Sequence, residues 1–242
     1  MKILIVRHAD PNYAIDSLTP TGWEEARLLA DRLCRLDIKA FYVSPLGRAR
    51  DTASLTLERL GAEAEVKDWL REFPAVVQKP GAPNSIAWDL LPQDWTNELR
   101  FYDREKWLEV PVFRDSDTPA LYKKVCDGLD ELLAKHGYVR SGNAWRVERR
   151  NEDTIVLVCH FGLESVLLSH LLQVSPMVLW HGTCAAPASV TTLTTEERRE
   201  GIAVFRMNAF GDTSHLYAGG REPSVSARFC EYYGHPWQRH DG

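Results

Sequence analysis

KILIVRHAD, residues 2–10, sets Ile3, Leu4, Ile5 and Val6 directly against Arg7 and His8, with no turn between them. A continuous apolar run of this length is expected of a strand covered on both faces. TIVLVCHFG, residues 154–162, repeats the arrangement: an apolar run, Cys159, then His160. In open α/β sheets the ligand crevice lies outside the carboxyl ends of the strands. Two strands of this kind would deliver Arg7, His8 and His160 to one crevice.

The chain around these stretches alternates strand and helix. In LTPTGWEEARLLADRLCRL (18–36), Thr19 is suited to cap a helix and Pro20 to its first position. Trp23, Ala26, Leu29, Ala30, Leu33 and Leu36 recur at helical spacing as its expected buried stripe. AFYVSP (40–45) reads as a second strand, after which Ser44-Pro45 opens a helix to Leu60, stopped by Gly61. AEVKDWL (64–70) reads as a third strand. Thr118-Pro119 starts a helix ending at Gly137, and YVRSGNAWRVE (138–148) reads as a hairpin turning at 141–143. GLESVLLSHLL (162–172) follows as a helix, and ASVTTLTTE (188–196) pairs with GIAVFRMNAF (201–210) as antiparallel strands. This order predicts an α/β fold: a three-layer αβα sandwich with a mostly parallel central sheet. A single domain is expected over residues 1–242.

The rhythm breaks at residues 73–117, which hold five prolines and seven aromatics with only moderate periodicity. A bare loop of that length is unusual in a compact domain. The segment is expected to be an inserted cap with a small core of its own.

Composition narrows the function classes. Of 242 residues, 44% are hydrophobic and 26% charged, as in an ordinary globular protein. A formal charge of −5 provides no footprint for nucleic acid. No run approaches the ~18 apolar residues of a membrane span, and MKILIVRHAD meets charge too early for a signal peptide. Five cysteines without paired short spacings argue against a disulfide framework and against zinc. A cytoplasmic protein without membrane or nucleic-acid partners is expected; nothing in the sequence assigns an oligomeric state.

The strand ends carry the chemistry. SPLGRARDTA (44–53) adds Arg48 just after the second strand, and Glu72 follows the third. One crevice could collect Arg7, His8, Arg48, Glu72 and His160. Two guanidiniums and two imidazoles around one point suit the two negative charges of a phosphomonoester, whose oxygens guanidinium forks bind in pairs. The sequence has no Walker-type phosphate loop and no aspartate cluster for magnesium. No metal or cofactor is expected. A neutral imidazole is a competent nucleophile, and Arg7 and Arg48 would keep His8 unprotonated.

These residues resemble a known family. RHAD (7–10) is similar to the Arg-His-Gly signature of the histidine phosphatase, or phosphoglycerate mutase-like, superfamily. LTPTGWEEA resembles that family's Leu-Thr-x-x-Gly-x-x-x-Ala segment, SPLGRARDTA its Ser-x-x-x-Arg-Ala-x-x-Thr-Ala motif, and CHFG its second histidine motif; GDTSHL (211–216) is a weaker likeness. The resemblance implies that His8 becomes phosphorylated, that Arg7, Arg48 and His160 hold the phosphoryl group, and that Glu72 donates the proton. Asn12 in the first loop and His215 near the last strand are further candidates for the pocket. The chain departs from the pattern at Ala9, where glycine is usual, and at Phe161, which replaces the glycine after the second histidine. EFPAV (72–76) stands where the mutases continue Glu-Arg-His-Tyr-Gly.

That last departure favours hydrolysis. The reading is a metal-independent phosphatase acting on a small phosphorylated metabolite through a phosphohistidine on His8. A mutase-like phosphotransferase and a non-catalytic phospho-ligand or protein-binding module are the alternatives. Residues 73–117, with Trp88 and Trp95, are expected to form an apolar rim that selects the substrate.

Overall fold

The structure, a computed structural model, describes residues 1–79 and 82–226, so the end of the expected 1–242 domain lies outside the described residues. Strand β1 (Lys2–Arg7) leads through the ribbon β2 (Pro11–Asn12) and β3 (Ser17–Leu18) into helix α1 (Pro20–Leu33), strand β4 (Ala40–Val43), helix α2 (Gly47–Leu60) and strand β5 (Ala64–Val66). Next come the ribbon β6 (Val76–Lys79) and β7 (Ala82–Ile86), then the one-turn helices α3 (Pro92–Trp95) and α4 (Pro111–Arg114). Helix α5 (Thr118–Lys135), the hairpin β8 (Tyr138–Ser141) and β9 (Ala144–Val147), strand β10 (Thr154–Cys159) and helices α6 (Phe161–Leu172) and α7 (Pro176–Gly182) follow. The long strands β11 (Val190–Arg199) and β12 (Ile202–Asp212) and the short helix α8 (Ser214–Ala218) come last.

The central sheet has eight strands in the order β5-β4-β10-β1-β11-β12-β9-β8. Its first half, β5 to β1, is parallel. From β1 onward the pairing is antiparallel. The change of direction has a local cause: β11–β12 and β8–β9 are hairpins, and a hairpin needs no crossover helix.

Alternation along the strands builds the layers. Ile3 and Ile5 of β1, with Ile155, Leu157 and Cys159 of β10, face a core closed by α5, α6 and α7. Leu4 and Val6, with Val156 and Val158, face a second core closed by Leu29 and Leu33 of α1 and Ala49 and Ala53 of α2. Each fully buried branched aliphatic here stabilises the fold by roughly 1.5–3 kcal/mol.

Helix α1 begins as its sequence requires: the Thr19 side chain accepts the Gly22 N–H (3.0 Å), and Pro20 is its first residue. Its stripe is narrower than the spacing predicts. Ala26, Leu29, Ala30 and Leu33 are buried, but Trp23 and Leu36 are exposed and Glu25 is buried in their place. Glu25 is inside because two backbone N–H groups bond its carboxyl. Helix α2 begins at Gly47, with Gly61 ending it in the left-handed region (φ 58°). Ser44 lies two residues before the cap position and serves the site instead.

Residues 73–117 do not close on a core of their own. Phe73, Val77, Phe101, Trp107 and Phe113 join the cluster on the α5–α6 face of the sheet. Trp107 packs edge-on to Trp180 of α7 at 5.7 Å between ring centroids. A segment this rich in aromatics removes more surface from water by filling a sheet face than by folding on itself.

Candidate active site

The sheet's hydrogen-bond ladder continues past its strands into the site. The His8 N–H donates to the Cys159 carbonyl (2.9 Å), and the Ser44 N–H to the Val158 carbonyl (3.0 Å). The parallel strands β1, β10 and β4 thereby set His8, His160 and Ser44 side by side. The two imidazoles stand 5.0 Å apart, inclined at 59°.

His8 is buried, and its Nδ1 lies 2.8 Å from the Ala9 carbonyl. A carbonyl only accepts, so Nδ1 carries the proton and the Nε2 lone pair is free. Burial first, then Arg7 and more weakly Arg48, push the His8 pKa down to about 3, against the pull of the Ala9 carbonyl. His160 is fully buried; burial, His8 and the two arginines hold it well below the ordinary histidine range. Its Nε2 meets Ser44 Oγ at 2.8 Å, and Ser44 Oγ also accepts the Leu46 N–H. Its Nδ1 is buried and has no partner among the described residues.

Arg7 ends β1 and is 2% exposed. Its Nη1 donates to the Ala185 carbonyl and its Nη2 to that of Ser226, while Nε is unpartnered among the described residues. Arg48, in the first turn of α2, bonds Asp16 through Nη1 (2.7 Å) and lies 5.3 Å from the centre of the Tyr13 ring. Partial burial pushes the Asp16 carboxyl up, but the Gly47 N–H and Arg48 outweigh this and hold it below its usual range.

Glu72 is part-buried where the chain leaves β5 for the inserted segment. Its Oε1 accepts the N–H groups of Phe73 (2.8 Å) and Leu163 (3.0 Å), the latter in the first turn of α6. Burial raises its pKa, and these N–H groups and Arg7 limit the rise. Gly162 makes this seat possible: a Cβ there would lie 2.6 Å from Trp88 Nε1 and 2.8 Å from Glu72 Oε1. Phe161 opens α6 and packs edge-on to Trp88, with ring centroids 6.4 Å apart.

Arg7, His8, Arg48, Glu72 and His160 are therefore assembled at one sheet edge, with Phe161 beside them. Asn12 instead turns onto its own loop, where Oδ1 accepts the Ala14 N–H (3.2 Å). His215 lies against α1: its Nδ1 meets Arg32 Nη1 at 3.2 Å, and burial and Arg32 push its pKa down to about 4. Sequence reasoning missed four neighbours. Ser44 and Thr52 lie inside the quoted SPLGRARDTA; Thr52 Oγ1 accepts the Ala9 N–H (2.9 Å). Asp16 leaves no sequence signal. Glu164 does, as the one charged residue in FGLESVLL; it is buried, and burial raises its pKa to about 7.

Among the described residues no group of three or more His, Cys, Asp or Glu side chains could hold a metal ion, and no helix is long and apolar enough to cross a membrane.

Known proteins share this architecture. Phosphoserine phosphatase 1 of Hydrogenobacter thermophilus is 26% identical over 215 residues, which are 84% of this chain and 90% of that protein. A further relative from the same bacterium is 36% identical over 81 residues, 30% of this chain and 40% of that protein. Among solved structures, a phosphoserine phosphatase mutant from Entamoeba histolytica in complex with phosphoserine aligns with a TM-score of 0.58 at 19% identity, covering 89% of this chain and 98% of that one. A mycobacterial glucosyl-3-phosphoglycerate phosphatase in complex with VO3 aligns at 0.57 and 18%, covering 88% and 99%. A model of the histidine phosphatase superfamily (branch 1) matches residues 3–208, and the chain belongs to that superfamily.

Proposed function

We propose that the protein hydrolyses a small phosphomonoester, without a metal ion, through a phosphohistidine on His8. The carrying observation is the setting of His8: buried, with Nδ1 against the Ala9 carbonyl, which leaves Nε2 as the free nitrogen beside two guanidiniums. The His8 Nε2 lone pair attacks phosphorus as the ester P–O bond breaks. Arg7 and Arg48 bind the phosphoryl oxygens, where charge accumulates in the transition state. In this mechanism Ser44 donates to Nε2 of His160, so that the His160 proton resides on Nδ1, the nitrogen without a protein partner among the described residues, and serves a third phosphoryl oxygen. Glu72, kept acidic by burial, gives its proton to the departing alkoxide. In the second step the Glu72 carboxylate takes a proton from water, the water oxygen attacks phosphorus, the P–N bond breaks, and inorganic phosphate leaves.

Two features support hydrolysis over transfer to a second alcohol: EFPAV in place of the mutase continuation, and relatives named as phosphatases. The relatives' names also support a small metabolite phosphate as substrate.

Rapid quenching with labelled aryl phosphate tests the pathway. Label is expected on His8, lost in acid and kept in base, with release of free phosphate and no turnover by His8→Ala. Alkali-labile label on serine or threonine would overturn the mechanism, and label transferred to an added alcohol without free phosphate would favour the mutase reading.

A further inference from the structure

Residues 221–226 lie along the start of the chain and are tied to it at four points. Arg221 pairs with Glu24, and the Ser224 N–H donates to Glu25 Oε1 (3.0 Å). Ser226 Oγ donates to Asp10 Oδ1, and the Ser226 carbonyl accepts Nη2 of Arg7 (3.1 Å). Glu25, on α1, is fully buried, and its other oxygen accepts the Asp10 N–H (2.8 Å). One sealed carboxyl thus clasps the loop that follows His8 to the segment that touches Arg7. Burial raises the pKa of this carboxyl, and the two N–H groups restrain the rise. A buried carboxyl is costly unless hydrogen-bonded, so detaching either strand of the clasp is penalised.

Arg7 receives the consequence. Ala185 and Ser226 present carbonyls to its two terminal nitrogens, which fixes the plane of the guanidinium. Nε–H and the second hydrogen on each terminal nitrogen remain available for a fork onto phosphoryl oxygens. We propose that residues 221–226 form a positioning strap for the phosphate site: clasped by Glu25, they orient Arg7 through the Ser226 carbonyl. The proposal rests on Arg7 binding the phosphoryl group and adds that its orientation is imposed from the far end of the chain.

The test is the full-length double variant Ser224→Pro/Ser226→Ala, which removes the N–H given to Glu25 and the hydroxyl given to Asp10. Turnover of nitrophenyl phosphate and inhibition by vanadate are measured with and without Arg7→Lys. Misplaced positioning groups cost up to about 10²-fold. In the wild-type background kcat/KM is expected to fall about tenfold and the vanadate inhibition constant to rise at a temperature where the variant is still folded, its thermal midpoint lowered by the bond lost to buried Glu25. With Arg7→Lys present, the same strap changes should cost less than about twofold, because the oriented fork is already gone. Unchanged or increased kcat/KM, or an equal loss in the Arg7→Lys background, overturns the strap. Glu25→Gln, which keeps the side chain's size but breaks one clasp bond, carries the comparison if the double variant does not fold. A wild type that neither hydrolyses the ester nor binds vanadate defeats the phosphatase reading and the strap with it; a wild type disabled by Arg7→Ala but indifferent to the strap changes defeats the strap alone.

Discussion

A histidine attacks phosphorus only with a free lone pair, and burial and Arg7 favour that free pair on His8, the proposed nucleophile. Together they push its pKa down to about 3, which favours the neutral imidazole in the folded chain. Glu72 is displaced in the opposite sense, with burial lifting it above the ordinary carboxylate range. The proposed first half-reaction needs Glu72 protonated, so its rate should decline as pH rises through that lifted pKa. Glu72→Gln is expected to remove this alkaline limb and to lower kcat with an alkyl phosphate by about 10²–10⁴-fold. Phosphoenzyme formation from a nitrophenyl ester, whose leaving group needs no proton, should suffer far less. A limb that survives in the variant would belong to another acid, and Glu164, lifted to about 7, has the matching chemistry. His8 and His160 were legible because polar residues directly after apolar runs are hard to explain as core. Asn12 and His215 carried no such contradiction; Asn12 Oδ1 accepts a local N–H and His215 Nδ1 meets Arg32, while His215 Nε2 is buried without a partner among the described residues.

At the scale of elements, the start of α2 decides how Arg48 is held. The loop before α1 passes so close that a Cβ on Gly47 would lie 2.0 Å from the Asp16 carbonyl oxygen. Asp16 itself is in the left-handed region (φ 47°), and its two carboxyl oxygens take the Gly47 N–H and Arg48, each at 2.7 Å. Gly47→Ala must displace this loop while leaving a helix-competent residue at the start of α2. The expected result is unchanged helical circular dichroism, with KM and the vanadate inhibition constant raised about tenfold and kcat less affected. Unaltered KM in the folded variant would show that Asp16 does not place Arg48. Helices α1 and α2 were legible from apolar period and from Gly61. The Asp16 loop was not, because a turn fixed by one carboxylate has no period.

For the whole molecule, the question is what residues 73–117 do. Their aromatics divide into two sets. Trp107 is fully buried against Phe113, Tyr122 and Trp180, while Trp88 stands half-buried between Phe161 and the seat of Glu72. Trp95, expected on the rim, packs against Tyr102 and His181. We propose that the segment covers the substrate's organic portion through Trp88 and, carrying eight acidic and five basic residues, favours monophosphates with an uncharged or partly apolar group over bisphosphates. Trp88→Ala should reorder kcat/KM among metabolite phosphates more than it alters a minimal aryl phosphate. Trp107→Ala should leave that order intact and cost about 3–5 kcal/mol of stability, read by denaturation. An unchanged substrate order in folded Trp88→Ala would sink the idea. Composition announced an aromatic segment of unusual length, but partners four helices away decide where its side chains go, and no local pattern encodes those.

The register of β1 against β10, which pairs Arg7 with Cys159, also limits how such a chain can diversify. His8 and His160 continue the alternation of Val6 and Val158, so a single residue gained or lost inside either strand would turn one imidazole to the opposite side of the sheet. Length can therefore drift where this ladder is not running, as between β7 and α5 and at the tip of the β8–β9 turn. New substrate preferences in a lineage with this frame would arise by lengthening or repacking those stretches, while the phosphate chemistry is inherited unchanged from the strand ends.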